Sequence, residues 1–337
     1  MFPPQMFSRR SFAALLLSSV PIVAMTAQPS ADPLPSWREG ATKRAILEFL
    51  RKTTSWESSD YLPPSARIAV FDNDGTLWVE QPVYPEVVFA VDRVKALAPL
   101  HSEWATLEVF QAALAGDMAS LVKGGLRAMG AIVLATHAET TPDMFHQLVS
   151  SWLISARHPR FHHRYTKCIY QPMLEVLTLF RAHGYRTWIV TGGTTEFLRP
   201  WTPSVYGVPP DQVVGTTLKS TYSTHDGQGD LVQRGELESL DEGAGKVVNL
   251  YRSVGQRPVA AFGNSDGDYE MLQFATTGPG PHLGVLIHHD DGDREYAYDR
   301  DTTIGKLDRG LTDAAANGWL VSSVKNDWLR VFADYQR

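Results

Sequence analysis

Short unbroken apolar runs alternate along the chain with longer stretches in which apolar residues recur every three or four positions. Four runs stand out: "IAVF" at 68–71, "RTWIV" at 186–190, "PVAAFG" at 258–263 and "LGVLIHH" at 283–289. Continuous apolar character buries both faces of a strand, which is the signature of a parallel sheet. The segments "ATKRAILEFLRKT" (41–53), "QPMLEVLTLFRAHG" (171–184) and "GKVVNLYRSVG" (245–255) carry an apolar stripe at helical spacing. Pro172 opens the second of these and Gly184 closes it, the asymmetry of a helix start and stop. The tail adds a helix near 306–317 and a strand at 319–324. Strands alternating with helices predict an α/β fold built on a doubly wound, mostly parallel sheet with right-handed crossovers.

Two segments break the alternation. From Pro85 to about His158 the pattern is helical with no convincing strand, and helices open at Pro85 and at Pro142 behind Thr141. So long a helical run between the first strand and the next βα unit reads as an inserted cap, 81–164, with the core formed by 32–80 and 165–337. The second break, "QVVGTTLKSTYS" followed by "GDLVQRGEL", reads as a small β excursion turning at "DGQG".

Composition narrows the class. Hydrophobic residues make up 43% and charged residues 20%, values of a soluble globular protein, and the formal net charge is −6. With no basic run, nucleic acid is excluded as an expected partner. Cys168 is the only cysteine, so an intrachain disulfide and a cysteine-built zinc site are both excluded. Residues 1–31 differ from the rest: Arg9 and Arg10 precede a moderately apolar run, Phe12 to Ala27, broken by Ser18, Ser19 and Pro21. That run is short for a membrane span and reads as an export signal, and "SRRSF" resembles the twin-arginine type. The expected location is exported, periplasmic or secreted, with no membrane anchor once the signal is cleaved.

Three of the apolar runs end in polar clusters: "DNDGT" at 72–76, "TGGTT" at 191–195 and "GNSDGD" at 263–268. In a doubly wound sheet these carboxyl ends share one edge, so the clusters meet in one crevice. The meeting would gather Asp72, Asp74, Asp266 and Asp268, whose mutual repulsion calls for a cation. Oxygen donors without a thiol select a hard ion, with Mg²⁺ the natural candidate. Thr191 brings a hydroxyl, Gly192 and Gly193 free the backbone to present N–H groups to an anion, and Lys246 opens a helix with a positive charge. Carboxylates, a hard cation, N–H donors and one lysine suit phosphoryl transfer.

In these motifs the chain resembles the haloacid dehalogenase superfamily, in its phosphoserine-phosphatase-like branch with a helical cap. D-x-D-G-T at 72–76, Thr191 in "IVTGG", Lys246 and "GNSDGD" occur in that superfamily's order. The resemblance implies a Rossmann-like core and a Mg²⁺-dependent phosphomonoester hydrolase acting on a small phosphorylated metabolite. It implies that Asp72 attacks phosphorus to give an aspartyl-phosphate and that Asp74 protonates the leaving oxygen and then activates water. Thr191 and Lys246 would hold the phosphoryl oxygens. The metal would bind the Asp72 carboxylate, the Asp74 backbone carbonyl and the 264–268 motif. Dehalogenases of the superfamily lack the second acid, so Asp74 favours phosphoester cleavage. One departure touches the metal: the last motif commonly begins Gly-Asp, whereas here Asn264 follows Gly263. Asp268 is then the expected charged ligand, beside the Asn264 carbonyl oxygen, with Asp266 as a substitute. A phosphotransferase using the same intermediate and a non-catalytic phosphate- or metal-binding protein remain as alternatives.

Other polar segments have two readings. "ARHPRFHHRY" at 156–165 brings Arg157 and Arg160 either to the substrate entrance, as binding groups for an anion, or to a solvated basic surface. Asp266 and Asp268 also suit helix capping. "HHDDGDREYAYDRD" at 288–301 reads as a solvated loop at the rim of the site.

Overall fold

The computed structural model describes residues 32–333, so the export reading of residues 1–31 lies outside the described residues. Eight strands form one sheet: β1 (Ile68–Phe71), β2 (Arg186–Thr194), β3 (Val213–His225), β4 (Gln228–Ser239), β5 (Ala260–Gly263), β6 (Leu283–Asp290), β7 (Ala297–Tyr298) and β8 (Leu320–Ser323). Their order is β4-β3-β2-β1-β5-β6-β7, with β8 also paired to β6. β1 lies parallel to β2 on one side and β5 on the other. The order changes direction at β1, which places a crevice at its carboxyl end.

The four residues of β1 are fully buried because both sheet faces are covered. Ala69 and Phe71 join Phe262 and the helices Ala41–Thr54 and Gln171–Ala182 in one core. Phe71 and Phe262 stack with centroids 4.5 Å apart. Ile68 and Val70 face a second core with Leu250, Met271 and Leu272 from the helices Ala244–Val254 and Tyr269–Thr276. This is the Rossmann-like, doubly wound α/β arrangement that the apolar runs predict.

Three elements differ from the sequence reading. β2 runs on through Gly192 and Gly193 to Thr194 instead of ending at Val190. The β excursion is part of the main sheet: Val213 to Gly215 pair parallel with Ile189 to Thr191 before β3 continues into a hairpin with β4. The tail helix is short, Arg309–Asp313.

Between residues 81 and 164 the α-helices are Pro85–Leu97, Glu108–Ala115, Met118–Lys123, Gly125–His137 and Pro142–Ser155. The first four enclose a core of their own around Val91, Trp104, Phe110 and Ile132. The last helix instead gives Phe145, Val149 and Leu153 to the main core, alongside Phe89. The inserted helices therefore share apolar contacts with the sheet layer rather than resting on it through a polar seam. Among the described residues no helix is long and apolar enough to cross a membrane.

Candidate active site

The loop after β1 is held by its own backbone. Leu77 N–H donates to the Asn73 carbonyl at 2.8 Å, and Gly75 N–H donates to the Trp78 carbonyl at 2.8 Å. Gly75 has φ +80°, and a Cβ there would overlap Asn264 and Glu80, so no other residue fits. The turn aims Asp72 and Asp74 into a cavity of about 500 Å³ that Gly192, Gly193, Ser265 and Lys246 also line.

Lys246 is the electrostatic centre. It is 2% exposed, and its ammonium donates to Asp72 Oδ1 at 2.6 Å, Asp268 Oδ1 at 2.6 Å and the Val190 carbonyl at 3.2 Å. All three of its protons are thereby used. Burial works against the charged lysine, but Asp268 and Asp72 outweigh it and hold its pKa well above the usual value. Asp72 is driven well above the carboxylate range, first by burial and then by Asp268, with Lys246 pulling the other way. Asp74 is raised to about 6 by burial, against hydrogen bonds from Trp78 and Asn73. The Trp78 indole donates to Asp74 Oδ1 at 2.8 Å and is itself stacked on Trp201, centroids 4.6 Å apart. Asp74 thus has a fixed orientation and a carboxyl group that changes protonation near neutral pH.

The "GNSDGD" residues divide into three jobs. Asp268 Oδ2 accepts from Asn264 N–H, Ser265 N–H and the Ser265 hydroxyl at 3.0 to 3.2 Å, while its Oδ1 takes Lys246. Both oxygens are occupied and the side chain is fully buried, so in this structure Asp268, the expected charged metal ligand, holds Lys246 and the loop. Asp266 turns away and accepts from the N–H groups of Asp308, Arg309 and Gly310 at 2.9 to 3.2 Å, capping the helix Arg309–Asp313. It is no substitute ligand. Asn264 accepts from the Thr76 hydroxyl at 3.1 Å and donates through Nδ2 to Glu80 Oε1 at 2.6 Å.

That last contact explains the departure from Gly-Asp. An aspartate at 264 would set a second carboxylate against buried Glu80, whose Oε1 also accepts from the Tyr298 hydroxyl at 2.7 Å. The acid missing at 264 is supplied by Glu80, a cavity-lining residue. Burial raises the Glu80 pKa well above normal, with Asp74 and Asp72 adding to the shift.

Sequence reasoning missed three more groups. Glu86 and Glu242 line the cavity, and each lies against a glycine of "TGG": a Cβ on Gly193 would come within 2.8 Å of Glu86, and one on Gly192 within 2.9 Å of Glu242. Glu86 accepts from Thr194 N–H at 2.8 Å and from the Thr194 hydroxyl, and pairs with buried His137 at 3.1 Å. For Glu86 the signal was present, since it stands with Glu80 in a mostly apolar run, "LWVEQPVYPEVV". The third group is the supposed rim loop 288–301. His289 and Glu295 are buried there, and His289 Nε2 lies 2.7 Å from the Gly75 carbonyl.

Of the other expected residues, Thr191 is fully buried behind the cavity wall, where its hydroxyl accepts from Gly193 N–H at 3.1 Å. Arg157 and Arg160 are corrected: neither lines the cavity. Arg160 donates to the Gly292 carbonyl at 2.7 Å and lies over the Tyr296 ring at 4.7 Å, while Arg157 donates to the His162 carbonyl at 3.0 Å. Both are exposed; Arg160 ties the end of the helical insertion to the core's rim, while Arg157 braces its own segment.

Five acidic side chains therefore line the cavity, Asp72, Asp74, Glu80, Glu86 and Glu242, against the basic Lys246 and Arg127. This surplus and an all-oxygen donor set fit a hard cation. Among the described residues no three His, Cys, Asp or Glu side chains stand together as a metal cage. A cation here would be held by single carboxylate oxygens and carbonyls, a pattern that suits Mg²⁺, which keeps several of its waters.

The fold and this acid-and-lysine floor define a Rossmann-like α/β protein with its site at the topological switch point. A family model described as haloacid dehalogenase-like hydrolase matches residues 69–273. The match spans more than half of the chain, and the chain belongs to that hydrolase family. No curated protein matches it in sequence. Among solved structures, it is similar to a functionally unknown protein from Anaerococcus prevotii, at 13% identity and TM-score 0.53, covering 84% of this chain and 91% of that one. It is also similar to a protein of unknown function from Bordetella pertussis, at 17% identity and TM-score 0.48, covering 76% and 97%. A phosphoserine phosphohydrolase-like protein from Francisella tularensis matches at 13% identity and TM-score 0.37, covering 74% and 98%.

Proposed function

We propose that the chain is a Mg²⁺-dependent phosphomonoester hydrolase that works through an aspartyl-phosphate on Asp72. The observation that carries this reading is the pair Asp72 and Asp74 facing one cavity, with Lys246 2.6 Å from Asp72. An Asp72 oxygen attacks phosphorus, the ester P–O bond breaks, and the Asp74 proton goes to the departing alkoxide. Water then attacks the same phosphorus while Asp74, now a carboxylate, takes its proton; the bond to Asp72 breaks and phosphate leaves. Burial supports both roles of Asp74, because a pKa near 6 keeps each protonation state accessible at neutral pH. Lys246 neutralises charge on the phosphoryl oxygens, and Asp268 keeps it in place. Asp72, the Asp74 backbone carbonyl and the Asn264 side-chain carbonyl would hold the ion, with the Glu80 carboxyl group nearby. When bound, Mg²⁺ supplies charge neutralisation to the phosphoryl group.

The test is release of phosphate from p-nitrophenyl phosphate with Mg²⁺, with chelator, and in Asp72→Asn. We expect turnover that disappears with chelator and falls by at least about 10³-fold in the variant. Equal release by variant and wild type would refute the reading. Added alcohol acceptors separate hydrolysis from phosphotransfer by the yield of new ester. On the sequence alone, we also propose that residues 1–31 direct export of the folded chain by the twin-arginine route.

A further inference from the structure

The wall facing the acid floor is apolar. Leu126, Met129, Val133 and Leu134 form a stripe on one face of the helix Gly125–His137, and Leu218 and Leu237 meet it from the β3–β4 hairpin. Leu126 is 60% exposed and Leu237 42%, and both border the mouth of this cleft of about 500 Å³. A monomer gains nothing by keeping such a patch wet, and its size is that of sites enclosing a whole small ligand. Arg127 is the one charged side chain that this helix brings to the lining. Against the apolar stripe, Arg127 apart, a sugar or an amino-acid side of a substrate would lose its water without finding partners. Glu80 and Glu242 also line the cavity and offer no positive charge to a second anionic group.

We infer that the site selects phosphomonoesters whose leaving group is an apolar aliphatic or aromatic alcohol, which the wall takes up while the floor holds the phosphate. This rests on the phosphatase reading and narrows its substrate class, away from phosphoserine-like and sugar esters.

The experiment measures kcat/KM for ethyl, butyl, hexyl and octyl phosphate, with O-phosphoserine and a hexose phosphate beside them. Expected is a rise of about fourfold per methylene until the wall is filled. O-phosphoserine should lie about a hundredfold below hexyl phosphate. A flat series, or phosphoserine equal to hexyl phosphate, overturns the inference while leaving the phosphatase reading intact. Binding of ethyl- and hexylphosphonate to wild type and Asp72→Asn by calorimetry needs no turnover. If no ester is hydrolysed but the longer phosphonate binds more tightly, the phosphatase reading fails and the pocket stands; equal binding sinks the pocket. Leu126→Glu, at an exposed position that folding tolerates, should flatten the chain-length slope, with a melting curve confirming the fold. A slope unchanged in Leu126→Glu and also in Leu134→Glu removes the helix from the pocket and overturns the inference.

Discussion

At the scale of single residues, two acids and an amide within five positions have unrelated duties because their partners lie far apart in sequence. Asp266 caps a helix some forty residues downstream, Asp268 fixes Lys246, and the position between Gly263 and Ser265 carries an amide that donates to buried Glu80. Spacing alone shows the cluster and cannot divide it, since each partner arrives through the tertiary fold. Asp72, Asp74 and Lys246 were legible because strand ends converge by topology; Arg157 and Arg160 were not, because a basic segment looks alike in a pocket and on a rim. Asp266→Ala separates the duties. Losing a cap to three N–H groups should cost about 1–2 kcal/mol of stability. Calorimetric Mg²⁺ affinity should stay within about twofold of wild type at a change of under half a kcal/mol. A large loss of Mg²⁺ affinity in a folded variant would return Asp266 to the metal.

At the scale of elements, the strands were readable because a strand buried on both faces must be apolar throughout, as β1 is. The segment 288–301 was misread for the converse reason: its charged residues look solvated, yet some are buried against one another. The Glu295 carboxylate accepts from the Tyr170 hydroxyl at 3.1 Å and pairs with His289 Nδ1 at 3.1 Å. The His289 ring stacks on Tyr298 with centroids 4.6 Å apart, and its other nitrogen holds the Gly75 carbonyl. Because both ring nitrogens face acceptors, His289 links Glu295 to the Gly75 carbonyl and buttresses the nucleophile turn from behind. His289→Ala leaves the Glu295 carboxylate buried without its partner and should cost about 3–5 kcal/mol. The double variant with Glu295→Ala should cost less than the sum of the two single variants, measured by denaturant unfolding. A loss below about 1 kcal/mol in His289→Ala would show that the turn stands without this support.

At the scale of the whole molecule, the fold concentrates negative charge at its centre with one buried lysine to oppose it. Asp74 and Asp241 both have pKa values raised to about 6, in each case mainly by burial. In the unfolded chain the same groups titrate at about 3.9. Below that pH both states are protonated and folding buries no charge. As pH rises from about 4 through 6, the unfolded chain releases these protons first, so the metal-free native state loses stability across that window. At pH 8 the cost is complete, and a divalent cation on the site offsets it. Mg²⁺ at a hundred times its dissociation constant should add about 2.7 kcal/mol. In a chain of this size that raises the melting temperature by several degrees. At pH 5 the gain should be smaller, because protons already neutralise part of the same charge and compete with the ion. Melting curves at pH 5 and pH 8, with Mg²⁺ and with chelator, read both effects at once. A melting temperature indifferent to Mg²⁺ at pH 8 would mean that the central acids live with their repulsion unaided, and the cation would have to be dropped from the mechanism.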